Sequence, residues 1–139
     1  MGFLKRSLGR NPALGAAGDV VALRSLLLSE DDPLMRHVVY EELERCLWES
    51  RQDFTSTLDE FDDVCLEHDG EMDAIRVALL ERYARLPVIE LYGSAAQRCR
   101  LAQDWRGVAR WAERGVEVYG NDGQPEAVDA LLRLARQRV

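Results

Sequence analysis

The sequence predicts an all-α fold of about seven helices. Three observations carry this. Apolar residues recur at three- and four-residue spacing in windows of roughly 12–18 residues. Strand-type alternation is nearly absent. The windows are separated by capping and breaking residues, namely Asp32-Pro33, Gly70, Leu86-Pro87, Asp104 and the cluster Gly120-Asn121-Asp122-Gly123.

Each element follows from its own signals. Residues 1–10 are basic and are expected to be flexible, ahead of a single domain over 11–139. Asn11-Pro12 opens a first helix to about Leu28, with Gly15 and Gly18 weakening its start and Asp19 offering a second cap. Asp32 followed by Pro33 starts the next, because a capping carboxylate precedes a proline whose missing N–H is no loss there. Its apolar stripe is Met35, Val39, Leu43, Cys46 and Leu47, and it ends near Arg51. Asp53 is expected to cap a third helix with Phe54, Leu58, Phe61, Cys65 and His68 inward and Gly70 as its stop. The fourth, over about 71–85, presents Ile75, Leu79 and Tyr83. Whether it packs crosswise or runs on through Pro87 is open at the level of sequence. Val88, Tyr92, Ala95, Ala96 and Cys99 form the inner face of a fifth helix, to about Ala102. Asp104 caps the sixth, with Trp105, Val108, Ala112, Gly115 and Tyr119 inward. The seventh covers about 125–138 and shows Val128, Leu131, Leu132 and Ala135.

At 139 residues and 47% hydrophobic, the chain is large enough to bury a core. No apolar run approaches the roughly 20 residues that cross a bilayer. The start, MGFLKRSLGR, lacks the apolar centre and small-residue cleavage site of a signal peptide. It also fails the myristoylation pattern, which wants Ser or Thr where Arg6 stands. Cys46, Cys65 and Cys99 are odd in number and scattered, which argues for a reducing compartment. The expectation is a soluble cytoplasmic protein with no membrane contact. Arg outnumbers Lys by seventeen to one, the usage of a GC-rich bacterial genome.

The net charge of −7 is unevenly spread. Residues 30–73 carry sixteen acids against three Arg, a local −13, while residues 74–139 carry eight acids against eleven Arg, a local +3. Such a balance disfavours direct nucleic-acid binding, since phosphates would meet a repulsive field. It suggests a basic partner for the acidic half, or charge-complementary assembly into a homo-oligomer.

The acidity peaks at DEFDDVCLEHDGEMD, residues 59–73. As a calcium loop with Gly70 at the sixth position, it places Cys65 at the first ligand and Arg76 at the twelfth, where oxygen donors are needed. Cys65 and His68 share a helix face but make half of a zinc site, and His37, Cys46 and Cys99 belong to other helices. Cysteine on an apolar stripe behaves as a small hydrophobe. Asp59, Asp62, Asp63 and Glu67 avoid the Phe61–Cys65 stripe, so they are expected in solvent as an acidic docking patch. No phosphate-binding glycine loop, nucleophile elbow or Ser-His-Asp order appears. The sequence therefore predicts no catalytic residues, no metal site and no cofactor. On the basic side, Arg106, Arg110 and Arg114 recur every four residues as one stripe, either a solvated face or a dock for acidic groups.

Two stretches match. RCLWESRQDF at 45–54 and RCRLAQDW at 98–105 both run from Arg-Cys to Gln-Asp-aromatic, the pattern of a helix hairpin whose second helix is capped by Asp. LYGSAAQRCRLAQDWRGVARWAERGVEVYGND, within residues 89–122, resembles a tetratricopeptide repeat, a helix–turn–helix of about 34 residues with small residues at close contacts. The resemblance rests on Tyr92, Ala95, Ala96, Cys99, Val108, Ala112 and Gly115, with Gln103-Asp104-Trp105 at the turn. Residues 37–70 match more loosely, since Thr57 and Phe61 are not small. The resemblance implies a helical-repeat bundle with hairpins at about 33–70 and 87–120 and a capping helix at 125–138. It implies a non-enzymatic module that binds a protein or peptide through the first helix of each hairpin. The residues so implied are Tyr40 and Glu44, then Glu90, Gln97 and Arg100. WAERGVEVYG is also similar to helical segments of bacterial proteins carrying a HIRAN domain, which implies an accessory or self-associating adaptor of a nucleic-acid-processing system. A small metal-binding protein built on Cys65 and His68 is the remaining alternative.

Overall fold

The computed structural model describes residues 19–54 and 56–139. Among these the chain forms seven helices and no strand, so the fold is all-α. They are α1 (Val20–Ser29), α2 (Pro33–Glu49), α3 (Ser56–Gly70), α4 (Met72–Arg82), α5 (Glu90–Leu101), α6 (Trp105–Tyr119) and α7 (Glu126–Arg138). The flexible stretch expected at 1–10 and the helix start expected at Asn11-Pro12 lie outside the described residues. The chain divides into two units at the His68–Asp69 bond, so α3 belongs to the first unit through His68. No helix among the described residues is long and apolar enough to cross a membrane.

In the first unit, Asp19 caps α1 by accepting from the Ala22 amide at 3.1 Å. Asp32 accepts from the Leu34 amide at 3.4 Å, with Pro33 leading α2. One turn on, the Arg36 guanidinium donates to the carbonyls of Leu27 and Glu30 at 2.6 and 2.8 Å. It thereby satisfies carbonyls that the end of α1 leaves unpaired. Leu23 of α1 is wholly buried, and α2 buries Val39, Tyr40, Leu43, Cys46 and Leu47. Across from it α3 buries Phe61, Val64, Cys65 and His68, and Phe61 meets Trp48 with ring centroids 5.4 Å apart.

Two expectations for the start of α3 fail. Asp53 is not its first residue, and Phe54 is 72% exposed rather than inward. The reason is a local turn: the Asp53 amide bonds back to the Ser50 carbonyl at 2.9 Å, so the helix begins later and Phe54 falls outside its register.

In the second unit, α4 buries Met72, Ile75 and Leu79. It does not run on into α5, because residues 83–89 are non-helical and tied elsewhere. The Leu86 amide donates to the Asp122 carbonyl at 2.5 Å, and the Ile89 amide donates to the Tyr119 hydroxyl at 2.8 Å. Since α5 starts only at Glu90, Val88 is 74% exposed instead of inward. α5 buries Tyr92, Ala95 and Ala96. Asp104 caps α6 by accepting from the Gly107 amide at 3.0 Å.

This hairpin is close because small residues sit at its contacts. A Cβ added at Gly115 would stand 2.9 Å from Tyr92 Cβ and 3.2 Å from Val128 Cγ1. One added at Gly107 would stand 2.7 Å from Cys99 Sγ. The turn itself holds Gln103 at φ 57°, a left-handed conformation that L side chains resist. Val128, Leu131, Leu132 and Ala135 of α7 are buried, and the Arg138 guanidinium lies 5.2 Å from the centre of the Trp105 ring.

Gly115→Ala should therefore lower stability by about 2 kcal/mol in urea unfolding, because the contact with Tyr92 and Val128 has no room to give. Gln103→Gly should raise it by about 1 kcal/mol by relieving the left-handed turn. A neutral Gly115→Ala would count against close packing of α5 on α6.

Candidate functional site

The chain has two histidines, and its fold brings both together in the first unit. On α2, His37, Tyr40, Glu41 and Glu44 follow one another at spacings of three, one and three, which places them along one side of the helix. α3 supplies His68 opposite them. His37 Nδ1 lies 2.8 Å from His68 Nε2. His68 Nδ1 lies 2.6 Å from Glu44 Oε2. His37 Nε2 lies 3.4 Å from Glu41 Oε1. Four titratable groups thus form one line, from Glu41 through both imidazoles to Glu44. Tyr40 stacks on His68 with centroids 4.9 Å apart and planes within 12°.

The line is secluded. His68 is 0% exposed, His37 2% and Glu44 5%. Burial, and after it the positive charge of a protonated His68, push His37 down to about 3. What such an arrangement does chemically is hold and pass protons.

The second unit has its own polar cluster. The Tyr92 hydroxyl donates to Asp69 Oδ1 at 2.6 Å, and Arg114 Nε donates to the same oxygen at 2.9 Å. Arg114 also reaches Glu117 at 3.0 Å and Asp73 at 3.5 Å. Burial, reinforced by the bond to Asp69, holds the Tyr92 hydroxyl well above the usual phenol range. Arg114 is therefore engaged inside its unit, whereas Arg106 and Arg110 of the same stripe are exposed.

The residues singled out from the sequence are dispersed. Tyr40 and Glu44, read as groove residues, are buried and turned to His68. Glu90, Gln97 and Arg100 are exposed on α5. Asp59, Asp63 and Glu67 are exposed on α3 and Asp62 is half-buried. Glu67 pairs with Arg24 at 2.8 Å, and Leu66 stands 63% exposed among these acids. Cys65 is buried one turn before His68, but among the described residues no group of three His, Cys, Asp or Glu is arranged to hold a metal ion. Sequence reasoning missed the meeting of His37 with His68. The available signal was the run of polar residues 37, 41 and 44 along a helix that otherwise buries that side.

No known family, no characterised protein and no solved structure matches this chain.

Glu44→Ala should cost about 3 kcal/mol, because it strands His68 Nδ1 in the interior. Glu67→Ala should stay within about 0.5 kcal/mol, since its pair with Arg24 is open to solvent. Urea unfolding compares the two, and equal small effects would contradict the burial of Glu44. His37 also sets a direction with pH. Between about pH 6.5 and about pH 3 the unfolded chain binds a proton that folded His37 refuses, so stability declines as pH falls through that window. His37→Asn should show a shallower decline than the parent chain between about pH 7 and about pH 4.5.

Proposed function

We propose that the chain is a non-enzymatic protein–protein interaction module of helical-repeat type. The observation that carries this reading is the α5–α6 hairpin. Its small residues serve the inner contacts, and Val128 of α7 joins them at Gly115. Internal packing leaves one side of α5 unused. Glu90, Gln97 and Arg100 are exposed there, next to Leu101 at 65% exposure. A polar rim beside an apolar anchor suits a protein or peptide partner. The likeness of residues 89–122 to a tetratricopeptide hairpin supports using the first helix for that purpose. The three free cysteines support a cytoplasmic setting.

The test is capture of partners by the tagged full chain from its native cells, followed by binding measurements with the purified partner. Arg100→Glu and Leu101→Asp should each weaken binding by about tenfold or more, equivalent to about 1.4 kcal/mol. Arg133→Glu, on exposed α7 surface, serves as the control and should bind as the parent does. Unchanged binding by both α5 variants would remove α5 as the docking face.

A further inference from the structure

Proton counting at the buried line gives more than its geometry. Two imidazoles have four ring nitrogens, and each lies near a partner: two hydrogen bonds, His37 with His68 at 2.8 Å and His68 with Glu44 at 2.6 Å, and a longer ion-pair contact of His37 with Glu41 at 3.4 Å. An ionised carboxylate only accepts, so each outer contact is favourable only when the ring nitrogen facing it carries a hydrogen. The central contact requires one N–H between its two nitrogens. All three are satisfied when three of the four nitrogens carry hydrogen. With both carboxylates ionised, two neutral imidazoles carry two hydrogens and leave one contact as lone pair against lone pair. Two imidazolium rings carry four and set N–H against N–H at 2.8 Å.

We propose that His37 and His68 together bind one extra proton, held in the contact between their rings, that this proton fastens α2 to α3, and that uptake of one further proton releases them. The pair as a whole then bears one positive charge between two carboxylates. The charge rests on His68, whose carboxylate is nearer and more deeply buried than the one facing His37. His37 is the neutral ring, with hydrogen on Nε2 toward Glu41. Its proton affinity, depressed by burial and then by the charge on His68, agrees with this assignment. Adding a fourth hydrogen turns the central bond into a repulsion and forces the rings apart.

The surrounding charges come from all three helices of the unit. α2 contributes Glu41, Glu44 and Tyr40, and Arg36 reaches the Tyr40 hydroxyl at 3.5 Å. α3 contributes Cys65 one turn before His68, half-buried Asp62, and Glu67 on the outer side. From α1, Arg24 is paired with Glu67 at 2.8 Å, with both side chains partly in solvent. Among the bonds described, Glu41 and Glu44 are the carboxylates that touch the two rings.

The experiment uses the full chain labelled with ¹⁵N-histidine. With two histidines, every imidazole nitrogen is read separately. At about pH 6, below the ordinary histidine value of about 6.5, three nitrogens should show protonated shifts and His37 Nδ1 should not. Two protonated nitrogens, or four, would overturn the proposal. On acidification the fourth hydrogen should appear only near pH 3, together with loss of the cross-ring contact between Trp48 and Phe61. Its uptake in the ordinary histidine range, with Trp48 and Phe61 still in contact, would overturn the release of α2 from α3. Glu44→Gln should reduce the count at about pH 6 from three to two, because a neutral amide no longer holds the charge on His68. A count still at three would reject Glu44 as the holder of that charge. Should that variant unfold, the parent chain's count and acid titration decide the matter by themselves.

Discussion

A buried polar group has to find its partner inside the protein, and the first unit depends on that constraint. Glu44, His68 and His37 lie where water does not compensate them, so each is held by the next. This fixes how α3 lies on α2 more sharply than the apolar contacts do. Hydrophobic contact such as that between Phe61 and Trp48 tolerates small slides, because apolar burial is non-directional. The imidazole line does not. Shifting α3 by one turn, about 5.4 Å, would separate His68 from Glu44 and leave a carboxylate unpaired in the interior.

The second unit is governed by shape. Gly107, Gly115, Ala95, Ala96 and Ala112 bring α5 and α6 close, and the aromatic ring of Tyr92 fills the remaining space against Gly115. The Asp69–Arg114 pair of its polar cluster is partly open to solvent, where single ion pairs contribute little, while Tyr92 beside it is buried. One unit is therefore positioned chiefly by hydrogen-bonded polar groups and the other by close packing. The two features of functional interest follow that division. Close packing at the inner contacts of α5–α6 leaves one side of α5 exposed, the side proposed above for a partner. The hydrogen-bonded line instead gives α2–α3 a dependence on proton concentration.

The helices were legible in the sequence wherever the deciding signal was local. Asp32-Pro33, Asp104 and the stripes of α6 and α7 behave as their spacing implies. The start of α3 was not, although its Asp-aromatic pair matches the one that begins α6. After α2 the chain makes an extra turn through the Ser50 carbonyl, and the same letters end in a different register. Val88 shows the same limit, since a Pro three residues before a helix leaves its entry point unspecified.

By itself the sequence determined the all-α class, the caps at Asp32 and Asp104, and which side of α6 and α7 turns inward, together with Tyr92, Ala95 and Ala96 on α5. These depend on contacts three and four residues apart along one helix. Only the tertiary structure decided that His37 and His68, thirty-one residues apart, share a hydrogen bond. Only it turned Tyr40 and Glu44 to that pair. Helical periodicity says which face of α2 is buried, but not which residue of α3 will stand opposite. That choice is made when two faces are pressed together and every polar atom between them has to be matched.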